Sequence, residues 1–142
     1  MTKIVRLKTA NSSALADIRN LLNQLSESNK KVTPASLKKV LKHPDIEIWV
    51  ARDGARIVGM ATLVVMHKLY ATASDVEDVV VDENYRGHGL GKALMKKLME
   101  RARARRASCI ALTSNPSRTA ANAMYQKLGF KKRETNVYRL KF

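Results

Sequence analysis

Apolar residues alternate with polar ones in some stretches of the chain and return every third or fourth position in others, and the change of period marks the elements. Lys3 to Leu7 alternates over a few residues and predicts a short edge strand. Ser12 and Ser13 then precede Leu15, Ile18, Leu21, Leu22 and Leu25, a helical stripe with an N-cap candidate at its start. Thr33 as N-cap and Pro34 at the first helical position open a second, shorter helix carrying Leu37, Val40 and Leu41, which ends near His43-Pro44. Ile46, Ile48, Val50 and Ala51 form a strand that reaches Asp53-Gly54, a pair suited to a tight hairpin, and a return strand runs from about Arg56 to Met66. Asp75 to Val81 is a third strand, apolar on both faces at Val79, Val80 and Val81 as a central strand should be. Leu90, Leu94, Leu98 and Ala102 recur every fourth residue of an amphipathic helix. Cys109 to Ser114 predicts a buried strand. Ser117 is placed to cap a last helix bearing Ala121, Met124, Tyr125 and Leu128 and closed by Gly129, and Phe130 to Phe142 supplies one or two further strands. The order strand, helix, helix, three strands, helix, strand, helix, strand or two contains no repeat or linker, so residues 1–142 read as one mixed α/β domain.

Length and composition narrow this picture. A chain of 142 residues with 45% hydrophobic content supports one core, not two. No apolar run approaches the roughly 20 residues of a membrane span and no targeting signature is present, so a soluble cytoplasmic protein is expected. The lone Cys109 sits in an apolar run and reads as a buried structural thiol. The charge adds more: 27 Lys and Arg against 12 Asp and Glu leave +15, which fits an anionic partner or a solubilising surface without choosing between them. One Trp, four Tyr and two Phe, with no helix-turn-helix, zinc or stacking signature, argue against nucleic acid as that partner.

The stretch Val79-Val80-Val81-Asp82-Glu83-Asn84-Tyr85-Arg86-Gly87-His88-Gly89-Leu90-Gly91 puts a strand, a short turn and three glycines directly before a helix. Backbone amides without Cβ obstruction can converge on phosphate oxygens there, and the helix N-terminus adds about half a positive charge. Arg86 and Lys92 add formal charge beside it. Glycines also mark ordinary turns, and a dinucleotide fold fits poorly, because Ile110-Ala111-Leu112 stands where a ribose-binding acid belongs. Arg86-x-x-Gly89-x-Gly91 at a strand-to-helix junction resembles the coenzyme A pyrophosphate loop of the GCN5-related N-acetyltransferases. A second stretch, Asn115-Pro116-Ser117-Arg118 with Ala121, Tyr125 and Gly129-Phe130, resembles that family's downstream signature. The resemblance implies a single-domain α/β fold, with a mixed, mostly antiparallel sheet of six to seven strands, splayed central strands and about four helices. It implies acetyl-CoA as cosubstrate. Val79, Val80 and Val81 would lie along pantetheine, Arg86, Gly87, His88, Gly89, Leu90, Gly91 and Lys92 would hold pyrophosphate, and Asn115, Arg118 and Tyr125 would contact the coenzyme.

Attack on a thioester needs a neutral amine, so a base or a water relay must take a proton from an ammonium that dominates near neutral pH. Carboxylates at the start of the central strand are the candidates. Period two puts Asp75, Glu77, Val79 and Val81 on one face and Asp78 on the other with Val76 and Val80, which ranks Glu77 first, Asp75 second and Asp78 third. A β-bulge, which the family commonly has in this strand, could reverse that ranking. These acids could equally pair with the abundant Lys and Arg. The resemblance gives Tyr125 the role of proton donor to the departing thiolate, although its place on an apolar stripe also suits a core tyrosine. Asn115 likewise reads either as a coenzyme contact or as ordinary loop polarity. His43, His67 and His88 share no metal-ligand spacing, so no metal is expected.

The acceptor half is less sharply marked. Val76 to Val81, Ala61-Thr62-Leu63 followed by His67-Lys68, and Leu22 to Ser26 before Thr33-Pro34 together resemble the eukaryotic glucosamine 6-phosphate N-acetyltransferases, which are dimers. That likeness implies a homodimer and assigns His67 and Lys68 to a substrate phosphate. Met66 departs from the acid that usually precedes this basic pair, and the Asn115 to Tyr125 stretch follows the wider superfamily instead. The resemblance implies a primary amine as acceptor, whether an amino-sugar phosphate, another small amine, or the amine of a protein or peptide. The remaining alternative is a noncatalytic acyl-CoA-binding module.

Overall fold

The computed structural model describes residues 1–26 and 31–142. They form two compact units, Met1–Leu112 and Thr113–Phe142. The first runs β1 (Thr2–Leu7), α1 (Ser12–Leu25), α2 (Pro34–Lys42), β2 (Ile46–Asp53), β3 (Arg56–His67), β4 (Thr72–Val81), a 3-10 turn at Glu83–Tyr85, α3 (Leu90–Ala104) and β5 (Ile110–Ala111). The sheet order is β1-β2-β3-β4-β5, with β1 to β4 antiparallel and β5 parallel to β4.

Local chemistry accounts for the element ends. Gly54, at φ +58, closes the β2–β3 hairpin in the left-handed region that its turn requires. Thr33 and Ser36 form a reciprocal capping box, Ser36 N to Thr33 Oγ1 at 3.0 Å and Thr33 N to Ser36 Oγ at 2.9 Å, behind Pro34. At the start of α1 the cap is Asn11, not a serine: its Oδ1 accepts from Ala14 N at 2.8 Å, and Ser12 and Ser13 become first-turn residues.

The sheet is covered on both faces. Ala14, Leu15, Ile18 and Leu21 of α1 and Leu37 of α2 are buried, in one cluster with Ile48, Val50, Ile57, Met60 and Val80. The stripe read along α3 buries Leu90, Leu94, Leu98 and Ala102, joined by Met95, on the opposite face. That face also holds a buried acid. Glu47 of β2 accepts from Arg101 Nε at 2.8 Å, Arg101 Nη2 at 3.1 Å, Arg105 Nη1 at 3.2 Å and Trp49 Nε1 at 3.0 Å. Burial alone pushes its carboxyl up, but the bonds from Arg101, Trp49 and Arg105 prevail and hold it at about 2. The charge-assisted contacts pin the C-terminal end of α3 to the sheet.

Four further expectations are corrected. The strand expected over Cys109 to Ser114 is confined to Ile110–Ala111, the two residues that pair with Ser74 and Asp75 of β4, and the thiol expected to be buried is exposed. In the second unit α4 spans Thr119–Lys127 and closes at Gly129, φ +101, but Ser117 does not cap it: Arg118 holds the N-cap position without a side-chain cap bond. Finally, the described residues form five strands, not six to seven. The shortfall lies in Phe130–Phe142, which has no ladder partner among the described residues and leaves Val137, Tyr138, Leu140 and Phe142 largely exposed.

Candidate active site

β4 carries the catalytic candidates, and a bulge decides where they face. Its register with β3 runs Asp75↔Val64, Val76↔Leu63 and Glu77↔Thr62, then jumps to Val80↔Met60 and Val81↔Gly59. Ala61 thus opposes both Asp78 and Val79, and Asp78 takes up the extra residue at φ +52, a left-handed conformation that an Asp tolerates better than most residues. The uniform period of two is broken here. Glu77 keeps Asp75 on its own face but shares that face with Val80, the face covered by α1 and α2, while Val81 packs with Ala51, Val58 and Leu90 beside α3.

Past Asp75, ahead of the bulge, β4 loses its other neighbour. β5 pairs only Ile110 with Ser74 and Ala111 with Asp75, so the two strands part at the level of the carboxylates and Val76 to Val81 have no strand on that side among the described residues. Desolvation raises the Glu77 carboxyl, and the charges of Asp78 and Asp75 raise it further. The Asp78 carboxyl is also raised by desolvation, since protein crowds it although it keeps contact with solvent.

The turn after β4 has the geometry of an anion cradle. Gly87 and Gly89 sit at φ +81 and +80, and a Cβ built on either meets nothing within 4 Å, so both face open space. Gly89 is the N-cap of α3 and offers no side-chain cap, which leaves the first-turn amides of a fifteen-residue helix for a ligand. Arg86 Nε donates to Val81 O at 3.0 Å and folds the guanidinium back over the strand end, and His88 Nδ1 lies 3.3 Å from Tyr85 O.

Sequence reasoning missed what holds this turn. Asp82, 3% exposed, accepts from Asn84 N at 2.9 Å on Oδ1, while Oδ2 accepts from Gln24 Nε2 at 3.3 Å and Asn20 Nδ2 at 3.5 Å and lies 4.0 Å from Arg56 Nη2. The Asn84 amide is the main reason its carboxyl is held low. Gln24 Oε1 also accepts from Glu83 N at 2.9 Å, and Tyr85 donates its hydroxyl to Asp53 Oδ2 at 2.7 Å. The turn is therefore tied to α1 and to the β2–β3 hairpin. The one signal in the sequence was an acid ending an apolar run two residues before an asparagine.

The other candidates lie elsewhere. His67 and Lys68 are at the far end of β3, with His67 Nε2 3.0 Å from Asp45 Oδ1, an acid also held by Arg105 Nη2 at 2.8 Å. In the second unit Asn115 builds the turn before α4: its Oδ1 accepts from Ser117 N at 2.9 Å and its carbonyl from Arg118 N at 3.0 Å and Asn122 Nδ2 at 3.1 Å. Tyr125 packs edge-on against Phe130, centroids 6.0 Å apart, and burial raises its phenol against the opposing charge of Arg118. Among the described residues no group of three or more His, Cys, Asp or Glu is arranged to hold a metal ion, and no helix is long and apolar enough to cross a membrane.

Comparison with known proteins agrees with this geometry. The chain is 33% identical to a glucosamine 6-phosphate N-acetyltransferase of Trypanosoma brucei brucei, over 96% of this chain and 97% of that protein. A solved Trypanosoma brucei acetyltransferase superposes with a TM-score of 0.82 at 30% identity, covering all of both chains. The N-alpha-acetyltransferase RimI of Mycobacterium tuberculosis is 28% identical over 70% of this chain and 61% of its own length. Residues 15–130 match the acetyltransferase (GNAT) family, whose members use acetyl-CoA as cosubstrate. A five-stranded sheet parted at β4, a glycine cradle at the head of α3 and a match spanning most of the chain lead to one conclusion: this chain belongs to the acetyltransferase (GNAT) family, and it is an acetyltransferase.

Proposed function

We propose that this enzyme transfers acetyl from acetyl-CoA to a small primary amine, with an amino-sugar phosphate as the first acceptor to test. The observation that carries the reading is that Glu77 and Asp75 lie on one face of β4 where it parts from β5, just ahead of the bulge at Asp78. Bound coenzyme supplies an activated acetyl group. The residues do the rest. The free edge of Val79, Val80 and Val81 receives the pantetheine arm, and the turn from Arg86 to Gly91, with Lys92 behind it, receives the pyrophosphate. Glu77 takes a proton from the incoming ammonium, directly or through water, so that the neutral amine can form the new C–N bond. Its raised carboxyl suits that exchange better than an ordinary exposed glutamate would. As the C–S bond breaks, Tyr125 gives its phenolic proton to the leaving thiolate, and the second proton shed by the acylated nitrogen restores the phenol through solvent, with Asn115 and Arg118 on the coenzyme.

The near end-to-end match to the trypanosomal relative supports the amino-sugar phosphate. With His67 engaged by Asp45, the phosphate contact falls to Lys68, which has no ion pair with a described residue. A second reading, acetylation of a protein or peptide amine, rests on the RimI relative.

An amine panel of glucosamine 6-phosphate, glucosamine and N-terminal peptides decides the acceptor, with Glu77→Gln and Tyr125→Phe deciding roles. Glu77→Gln lowers kcat by about 100-fold with the KM for acetyl-CoA nearly unchanged, and higher pH restores part of the rate because more amine arrives neutral. Tyr125→Phe is relieved less by pH. Full activity in Glu77→Gln would end the base assignment, and equal turnover of all the peptides with none of the amino sugar would end the sugar reading.

A further inference from the structure

A second concavity lies away from the cradle. It has a volume of about 440 Å³ and is formed by the β1–α1 connection and one face of α2. Its floor is the outer margin of the main core: Leu15 and Leu37 are buried, and Leu41 packs partly buried against them. Its rim is Lys8, Lys38 and Lys42. Leu37, Lys38, Leu41 and Lys42 fall at i, i+1, i+4 and i+5, so a single helix face presents both the apolar floor and two of the cations.

The charge is uncompensated. Among the described residues no acid lines the concavity, and none of the three ammonium groups has an ion pair with one of them. α2 contains no acid, and the one acid of α1, Asp17, spends Oδ2 on Ile57 N at 2.9 Å. Three like charges around one concavity repel one another, and an anion seated among them would relieve that repulsion. The volume is of small-ligand size, and an apolar floor with a few polar groups at the rim is how such sites are built.

We propose that this groove binds a small amphiphilic anion, with the apolar body on Leu15, Leu37 and Leu41 and the carboxylate, sulfonate or phosphate head among the three lysines. The residues belong to neither the coenzyme turn nor the carboxylates of β4, so the groove and the acetyl-transfer site are occupied independently. Lysine side chains reach over apolar surface with their stems, which adds to the contact.

The test uses the full chain and 8-anilinonaphthalene-1-sulfonate, with decanoate below its micellar concentration as competitor and decanol as its uncharged counterpart. Expected are a single saturable site, displacement by decanoate, and binding of decanol at least about tenfold weaker than decanoate. The double variant Lys38→Glu/Lys42→Glu, with both changes on exposed positions, weakens binding by about tenfold or more while its KM for acetyl-CoA stays unchanged. Saturating coenzyme A does not displace the probe. Amide shifts on probe addition fall on residues 8–15 and 34–42. Displacement by coenzyme A, undiminished affinity in the double variant, equal affinity for decanol, or binding only to anionic vesicles and not to the monomeric probe would each overturn the proposal.

Discussion

Replacing Glu47 by glutamine is the sharpest probe of how the fold is held. Glu47 is 1% exposed and receives bonds from Arg101, Arg105 and Trp49, so the amide keeps the shape but takes from Arg101 its buried counter-charge and leaves Arg105 with Asp45 alone. A carboxyl held at about 2 against an ordinary 4.5 corresponds to roughly 3 kcal/mol of stability from the charged form. That agrees with the few kcal/mol, about 3–5, by which breaking a buried pair destabilises a protein. For a chain of this length it lowers Tm by roughly 10 °C. The sign follows from the depressed carboxyl: the contribution is complete above about pH 4.5 and is lost as pH falls through about 2. Thermal or urea unfolding of both proteins from neutral to acid pH reads it out, and the gap between them should close towards the acid end. A Tm difference under about 2 °C at neutral pH, or a gap that does not narrow in acid, would refute the reasoning. The acetyl-CoA KM, measured well below Tm, should be little changed, because the cradle lies at the other end of α3.

Two further outcomes test the coenzyme turn. Gly89→Val forces a β-branched residue into φ +80 and fills the open space before the helix, so acetyl-CoA affinity by calorimetry falls at least about tenfold; unchanged affinity would place the coenzyme elsewhere. Asp82→Asn puts an amide donor opposite the donors of Asn20 and Gln24, which loosens the turn and raises the acetyl-CoA KM by about tenfold with kcat within about threefold. A kcat collapse at constant KM would show instead that Asp82 acts on the chemistry.

The parts of the fold that were legible in the sequence are those whose signal is local. α3 announces itself because four of its core residues recur at a constant spacing, and Pro34 behind Thr33 marks the start of α2 with its own capping chemistry. The cradle was legible for the same reason, being a run of glycines with nothing distant required. The bulge was not, because Asp78 is not a glycine and no residue type announces that one extra position will be absorbed there. Its consequence, Val80 in place of Val79 on Glu77's face, follows only from the register with β3. Asp82 and Glu47 were missed because their partners are remote: Gln24 and Asn20 stand 58 and 62 residues from Asp82, and Arg101 and Arg105 stand 54 and 58 residues from Glu47. Phe130–Phe142 shows the opposite error, since alternation predicts the capacity to form a strand and not the neighbour that a strand needs.

The short reach of β5 has a consequence for how the molecule breathes. β2, β3 and β4 are sewn together along most of their lengths by local antiparallel pairing, whereas β5 returns only after the whole of α3 and holds two register pairs. Such a strand is the least costly part of the sheet to release, so subglobal opening begins there and leaves the meander intact. The side of β4 on which that strand ends can therefore open while the register that fixes Asp75 and Glu77 against β3 stays intact, which on the proposed function would admit a bulky thioester without rearranging the groups proposed to act on it.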